Sequence, residues 1–183
     1  MRERAILSQA KQELFGAIIL GDSIVEFAKI PRDLCGIRTL NAGVAGAKIS
    51  DVARFTSRLL KTIHPQKIVF AVGINDAWAN DATSVESFRK HYQRALAASR
   101  EAGGKIYATT IAPIGMPATT DFNRARIDGF NQVIQSLGVY VIGLDNLAGT
   151  DGLLPPTITI DGVHLLPSGY DLWRSALEQG CKG

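Results

Sequence analysis

The stretch Ala17-Ile18-Ile19-Leu20-Gly21-Asp22-Ser23-Ile24-Val25-Glu26 decides how the rest of the chain is read. Its first four residues are apolar and include two β-branched isoleucines, the pattern of a strand buried on both faces. Gly21 breaks the run, and a serine follows two positions later. In open α/β sheets ligands bind outside the carboxyl ends of the strands. A hydroxyl at that break faces a crevice while the strand behind it is locked in the core, so Ser23 is placed as a nucleophile. Residues 23–28 then start a helix, with Asp22 or Ser23 near its N-terminus.

The groups able to activate Ser23 lie at the far end of the chain, in Asp161-Gly162-Val163-His164. Two further segments, residues 41–46 and Gly73-Ile74-Asn75-Asp76, come after the next two apolar runs and carry hydrogen-bond donors. With G-D-S near the start, a glycine after the second strand, G-x-N-D after the third and D-x-x-H near the end, the chain resembles the SGNH (GDSL-type) hydrolase family. The resemblance runs over about residues 16–170. It implies a three-layer α/β/α sandwich around a five-stranded parallel sheet in the flavodoxin-like order 2-1-3-4-5. It also implies cleavage of carboxylic esters through an acyl-serine. The chain departs from the family at Ala47-Lys48, where members often carry an acidic or hydroxylic residue, a change expected to alter the pocket rim more than the chemistry.

The bulk properties suit one domain over residues 1–183. Hydrophobic residues make up 46% and charged residues 20%, an ordinary globular balance. Twenty basic and seventeen acidic residues give a net charge of +3, and the charges are interspersed without a basic cluster or aromatic platforms, which argues against nucleic acid. Cys35 and Cys181 have neither C-x-x-C spacing nor a histidine cluster, so no metal site is expected; two thiols suit a reducing compartment. Residues 1–12 lack an apolar stretch of signal-peptide length, and no later run is long enough to span a membrane. The chain therefore reads as cytoplasmic, although one trimmed of an export signal would look the same. Nothing in the sequence specifies an oligomeric state.

Strands are expected over residues 16–20, 37–40, 67–72, 105–111 and 139–144. Residues 5–15 read as a short helix or turn. Further helices are expected over 50–62, capped by Ser50 or Asp51, over 84–102, over 122–137, and from Pro167 onward. Strand and helix alternate without a hairpin signal, which predicts a parallel sheet with helices on both faces.

A serine hydroxyl needs a base to take its proton, and the base needs an acid to hold its tautomer. Of three histidines, His64 precedes a proline on the opposite side of the sheet and His91 lies within a helix, which leaves His164 as the base. Asp161, three residues before it, can reach Nδ1 on an irregular turn and leave Nε2 for Ser23. The plainer reading of D-x-x-H is a surface aspartate and a histidine packing the last helix; its conjunction with G-D-S and G-x-N-D, in order, favours the catalytic one.

Oxyanion donors are the Ser23 N–H at a helix start, the Asn75 side-chain amide and, by the resemblance, the Gly46 N–H, since the family pattern puts that donor five residues after the asparagine, here Asn41. Gly43 competes with Gly46; both can equally be turn glycines, and Asn75 can bond its own backbone. Asp22 and Asp76 read as supports. Trp78, Ile114, Met116 and Leu154 are candidates for an apolar substrate wall, although local packing explains each as well.

The expected substrate is a small-molecule ester with a short or medium acyl group, such as an acetyl ester of carbohydrate or lipid, and no cofactor or metal is expected. An acyltransferase would use the same residues. A non-catalytic glycan or acyl-ligand binder would not need them intact.

Overall fold

The computed structural model describes residues 1–182. The opening helix α1 (Arg2–Gln12) leads into β1 (Ala17–Gly21), the short α2 (Ser23–Phe27), β2 (Thr39–Gly43) and α3 (Ile49–Leu59). Next come β3 (Lys67–Ala71), α4 (Val85–Glu101), β4 (Lys105–Thr109), α5 (Arg124–Gln135), β5 (Tyr140–Ile142) and α6 (Pro167–Cys181). All pairs are parallel, in the order β2-β1-β3-β4-β5.

Alternation along the strands explains the three layers, because successive side chains point to opposite faces. Ile18 and Leu20 of β1 join Ile68 and Phe70 of β3 in one cluster, together with Ile6 of α1, Phe55 of α3, Phe88 and Leu96 of α4, and Phe130 of α5. Ile19 and Val69 point the other way, into a cluster with Val25 of α2 and Tyr170, Trp173 and Leu177 of α6. Four helices thus cover one face and two the other.

The register aligns the loops that carry the polar motifs. Gly21 pairs with Gly43 on one side and Ala71 on the other. The strands β2, β1 and β3 therefore end level, and the loops after them emerge side by side. The chain moves from β1 to β2 on one side, then returns to β3 on the other, so this edge contains the point where the winding reverses.

Several boundaries differ from expectation. The second strand lies two to three residues later than 37–40, which brings Asn41 into it. The cap of α3 is Lys48 rather than Ser50 or Asp51; Asp51 sits three residues into the motif and its Oδ2 accepts the Lys48 N–H at 3.1 Å. Asn123, not Phe122, opens α5, its side chain accepting from the Arg126 N–H at 3.1 Å. The fifth strand is only three residues long because it pairs on one side alone and leaves Tyr140 and Val141 exposed.

Cys181 also corrects an expectation. It is buried and disulfide-bonded, and no described cysteine is free, which removes the argument from thiols for a reducing compartment. The expectation for the Cys35 side chain lies outside the described residues. Among the described residues no helix is long and apolar enough to cross a membrane.

Candidate active site

Ser23 is the first residue of α2, and its N-cap is Asp22. A helix of five residues has little stability of its own, so it is fixed from outside. Asp22 Oδ1 accepts the Ile24 N–H at 3.0 Å. From β2, Asn41 Nδ2 donates to the carbonyls of Val25 at 2.7 Å and Ala28 at 3.2 Å. From α6, the Tyr170 hydroxyl donates to the Ile24 carbonyl at 3.0 Å. Asp22 is almost wholly buried; burial pushes its carboxyl up to about 7, against the Ile24 N–H and the His164 ring, which favour the charged form.

The loop between β5 and α6 brings His164 to this serine. Its Nε2 lies 2.9 Å from Ser23 Oγ and its Nδ1 lies 2.7 Å from Asp161 Oδ2. Asp161 Oδ1 also accepts the backbone N–H groups of Val163 at 2.9 Å and His164 at 2.7 Å. The carboxylate thus closes its own turn while it orients the ring. Burial would raise the Asp161 carboxyl, but the His164 hydrogen bonds, the Val163 N–H and the ring's charge outweigh it and hold it below the ordinary range.

Thr159 Oγ1 donates to the His164 carbonyl at 2.8 Å and accepts the Gly162 N–H at 2.9 Å, bracing the loop from inside. The Gly115 N–H bonds the Gly162 carbonyl at 2.7 Å and braces it from outside. The Phe27 ring stands 5.8 Å from the imidazole. His64 and His91 take no part: one precedes Pro65 ahead of β3, the other lies within α4.

The two candidate glycines differ in their surroundings, and neither is in the lining of the cavity beside Ser23. The Gly43 N–H is already spent on Asn41 Oδ1 at 3.0 Å, and a Cβ there would come within 2.2 Å of the Glu26 N. Gly43 is a packing glycine that lets β2 meet α2. Gly46 lies in the exposed turn with φ +75°, a conformation that favours glycine, and among the described residues its N–H has no hydrogen-bond partner.

Asn75 Nδ2 donates to the Ala47 carbonyl at 3.1 Å, and Asp76 Oδ2 accepts the Ile49 N–H at 3.0 Å. The segment after β3 therefore grips the one after β2 on both sides of Lys48. Burial pushes the Asp76 carboxyl, like that of Asp22, up to about 7, despite the Ile49 N–H.

Ser23, Asn75, Asp161 and His164 share the lining of one cavity of about 230 Å³. Trp78 lines it as expected, paired edge to face with Phe122 at 4.9 Å. The other three wall candidates do not: Ile114 and Leu154 are buried in the core at 2% exposure, and Met116 is exposed and outside the lining. Ala118, Asp121, Phe122 and Val163 stand there instead. No sequence signal marked them, since their position depends on the 115–118 turn crossing Gly162.

Behind Trp78, Arg126 donates to the carbonyls of Trp78 at 3.0 Å, Asp81 at 2.8 Å and Thr83 at 2.5 Å. Lys48 forms an ion pair with Asp81. Burial alone would raise the Asp81 carboxyl, but Lys48 and Thr83 outweigh it and hold it at about 2. Among the described residues, no group of three or more His, Cys, Asp or Glu is placed to hold a metal.

Level strand ends at a winding reversal, with a serine, an imidazole and a carboxylate in one hydrogen-bonded line, define a flavodoxin-like α/β/α hydrolase of the GDSL class. The family model for the GDSL-like lipase/acylhydrolase family matches residues 19–172, and the chain belongs to that family. Solved structures agree on the fold. A GDSL-like lipase from Bacteroides thetaiotaomicron superimposes with a TM-score of 0.83 at 16% identity, covering 98% of this chain and 97% of that one. A lipase/acylhydrolase from Enterococcus faecalis gives 0.74 at 23% identity, covering 91% and 95%. An acetylxylan esterase from Geobacillus stearothermophilus gives 0.72 at 16% identity, covering 91% and 94%. A comparison with curated proteins found no match.

Proposed function

We propose that the protein is a serine esterase that cleaves small carboxylic esters, with short or medium acyl groups, through an acyl-serine intermediate. The observation that carries this reading is the unbroken line Asp161 Oδ2, His164 Nδ1, His164 Nε2, Ser23 Oγ, with both steps under 3 Å. With Asp161 accepting from Nδ1–H, Nε2 is left to accept the Ser23 proton. Ser23 Oγ then bonds the ester carbon, and the oxygen that gains charge meets donors from the Ser23 N–H, the Gly46 N–H and the Asn75 amide. His164 returns the proton to the alkoxide as the carbon–oxygen bond breaks. Water, deprotonated by the same imidazole, releases the acid and restores the serine.

The cavity volume of about 230 Å³ supports a short acyl or alcohol part over a long chain. The likeness to an acetylxylan esterase supports acetyl esters as the first class to try. The test is hydrolysis of p-nitrophenyl esters from acetate to decanoate by the native protein beside Ser23→Ala. Turnover confined to the native serine is the expected result, and its chain-length profile bounds the acyl side of the site. Equal turnover by both proteins would overturn the reading. No turnover of any ester, with a serine that still reacts with a fluorophosphonate, would move the assignment to acyl transfer.

A further inference from the structure

The charge of the catalytic cavity runs against that of the molecule. The chain carries a net charge of +3, yet among the described residues the cavity beside Ser23 has two aspartates in its lining, Asp121, which is exposed, and Asp161, and no lysine or arginine. Asp161 is committed to His164 and to its own turn. Asp121 is different. Its backbone is anchored, the N–H to Ala118 O at 3.1 Å and the carbonyl to the Ala79 N–H at 2.7 Å, while its carboxylate has no hydrogen bond or ion pair among the described residues.

Arg124, three residues from Asp121, lines a different cavity, and two other cations are occupied. Arg126 spends its guanidinium on three carbonyls of the 78–83 loop, and Lys48 pairs with Asp81. Trp78, which shares the lining with Asp121, is 43% exposed and leaves aromatic surface open. An uncommitted carboxylate and an open indole in the lining of one cavity attract a cation by charge and by the ring quadrupole.

We infer that this cavity is the subsite for the leaving alcohol, and that it prefers an alcohol bearing an ammonium group, with Asp121 as counter-charge and Trp78 as aromatic wall. The inference rests on the esterase reading. The alcohol side is assigned because His164 lines the same cavity and must hand its proton to the departing oxygen. Esters with an anionic alcohol part are disfavoured by the same carboxylate. Asp121 is thus a specificity-determining residue.

The experiment compares acetylcholine with 3,3-dimethylbutyl acetate, which has the same shape with carbon in place of nitrogen. The ratio of their kcat/KM values is the readout. In the native protein at low ionic strength the cationic ester is favoured by about threefold to tenfold, and the preference shrinks as salt rises. In Asp121→Asn the ratio falls close to one, while Asp121→Glu keeps most of it. The anchors of Asp121 are backbone groups, so both variants retain them.

An unchanged ratio in Asp121→Asn, or no preference in the native protein, overturns the inference. Binding of choline against 3,3-dimethylbutan-1-ol, followed by the change in tryptophan fluorescence in a Trp173→Phe background, where Trp78 is the one tryptophan left, makes the same comparison without turnover. Tighter binding of choline, lost in Asp121→Asn, supports the charge preference even if neither ester is cleaved, in which case the esterase reading alone has failed. Equal binding overturns the charge preference whatever the reaction.

Discussion

Ser23 and Asn75 illustrate two different kinds of dependence on a single side chain. On the proposed mechanism Ser23→Ala removes the atom that bonds the substrate, so ester turnover should fall by at least about 10³ while the fold is kept. Asn75→Ala removes the proposed donor to the developing oxyanion and is expected to cost about 10²–10³ in kcat. Because Asn75 Nδ2 also donates to Ala47, Asn75→Asp separates the parts: it keeps the shape, loses the donor and should be as slow as alanine. Steady-state kinetics on p-nitrophenyl acetate checks all three.

Much at this scale is legible in the sequence. Ser23, Asp161 and His164 stand in the expected contact because residue type and spacing carry the information. Gly43 and Gly46 are not separable in sequence, since they differ in which N–H is already bonded. Ile114 and Leu154 mislead because an apolar residue near a carboxyl edge serves a core as readily as a wall.

At the scale of elements, the level ends of β2, β1 and β3 leave no slack. Gly43→Ala would force a carbon to within 2.2 Å of the Glu26 backbone nitrogen, and α2 would have to move away from β2. The expected outcome is a loss of about 1–3 kcal/mol of stability in denaturant melts, together with a drop in kcat, because Ser23 rides on the displaced helix. Arg126→Met should act differently. It frees the 78–83 loop, whose carbonyls it holds, and is expected to raise KM for esters more than it lowers kcat, since Trp78 lines the cavity and has no place in the proposed proton transfers.

The elements themselves are largely readable: each expected strand exists, and the shifts come at their ends. Pairing sets those ends, as in β5, where a one-sided edge supports three residues. The role of Arg126 is not readable, because the three carbonyls it holds, and the Asp81 carboxylate it pairs with at 3.8 Å, lie more than forty residues earlier in the chain.

For the whole molecule, two buried carboxyl groups make stability depend on pH. Asp22 and Asp76 titrate near 7 in the folded protein against an ordinary 3.8. Between those values the folded state holds protons that the unfolded state has released, so stability falls as pH rises from about 4 to about 7 and levels off above. Each group contributes a slope of up to about 1.4 kcal/mol per pH unit. Denaturant melts across that range should show the decline, and Asp22→Asn or Asp76→Asn should each flatten it. A stability that rises with pH in this window would contradict the assignment. The layered parallel architecture is inferable from alternating elements, and the strand order comes with the family resemblance. The burial of these two aspartates is not inferable, because polarity alone gives no hint that the sheet edge closes over them.

The turn that joins Asp161 to His164 has a consequence for how the protein reaches its working form. The acid and base are three residues apart and linked by contacts within their own loop, so that half of the machinery can assemble locally. The link from His164 to Ser23 spans 141 residues and exists only once the last helix has packed against the sheet that holds the first strand. Loop closure over such a span is among the costlier steps for a chain. Enzyme activity is therefore a clock for the final docking event: during refolding from denaturant, ester turnover should return later than the circular dichroism of the helices, by an interval that measures how long the two ends of the chain take to find each other.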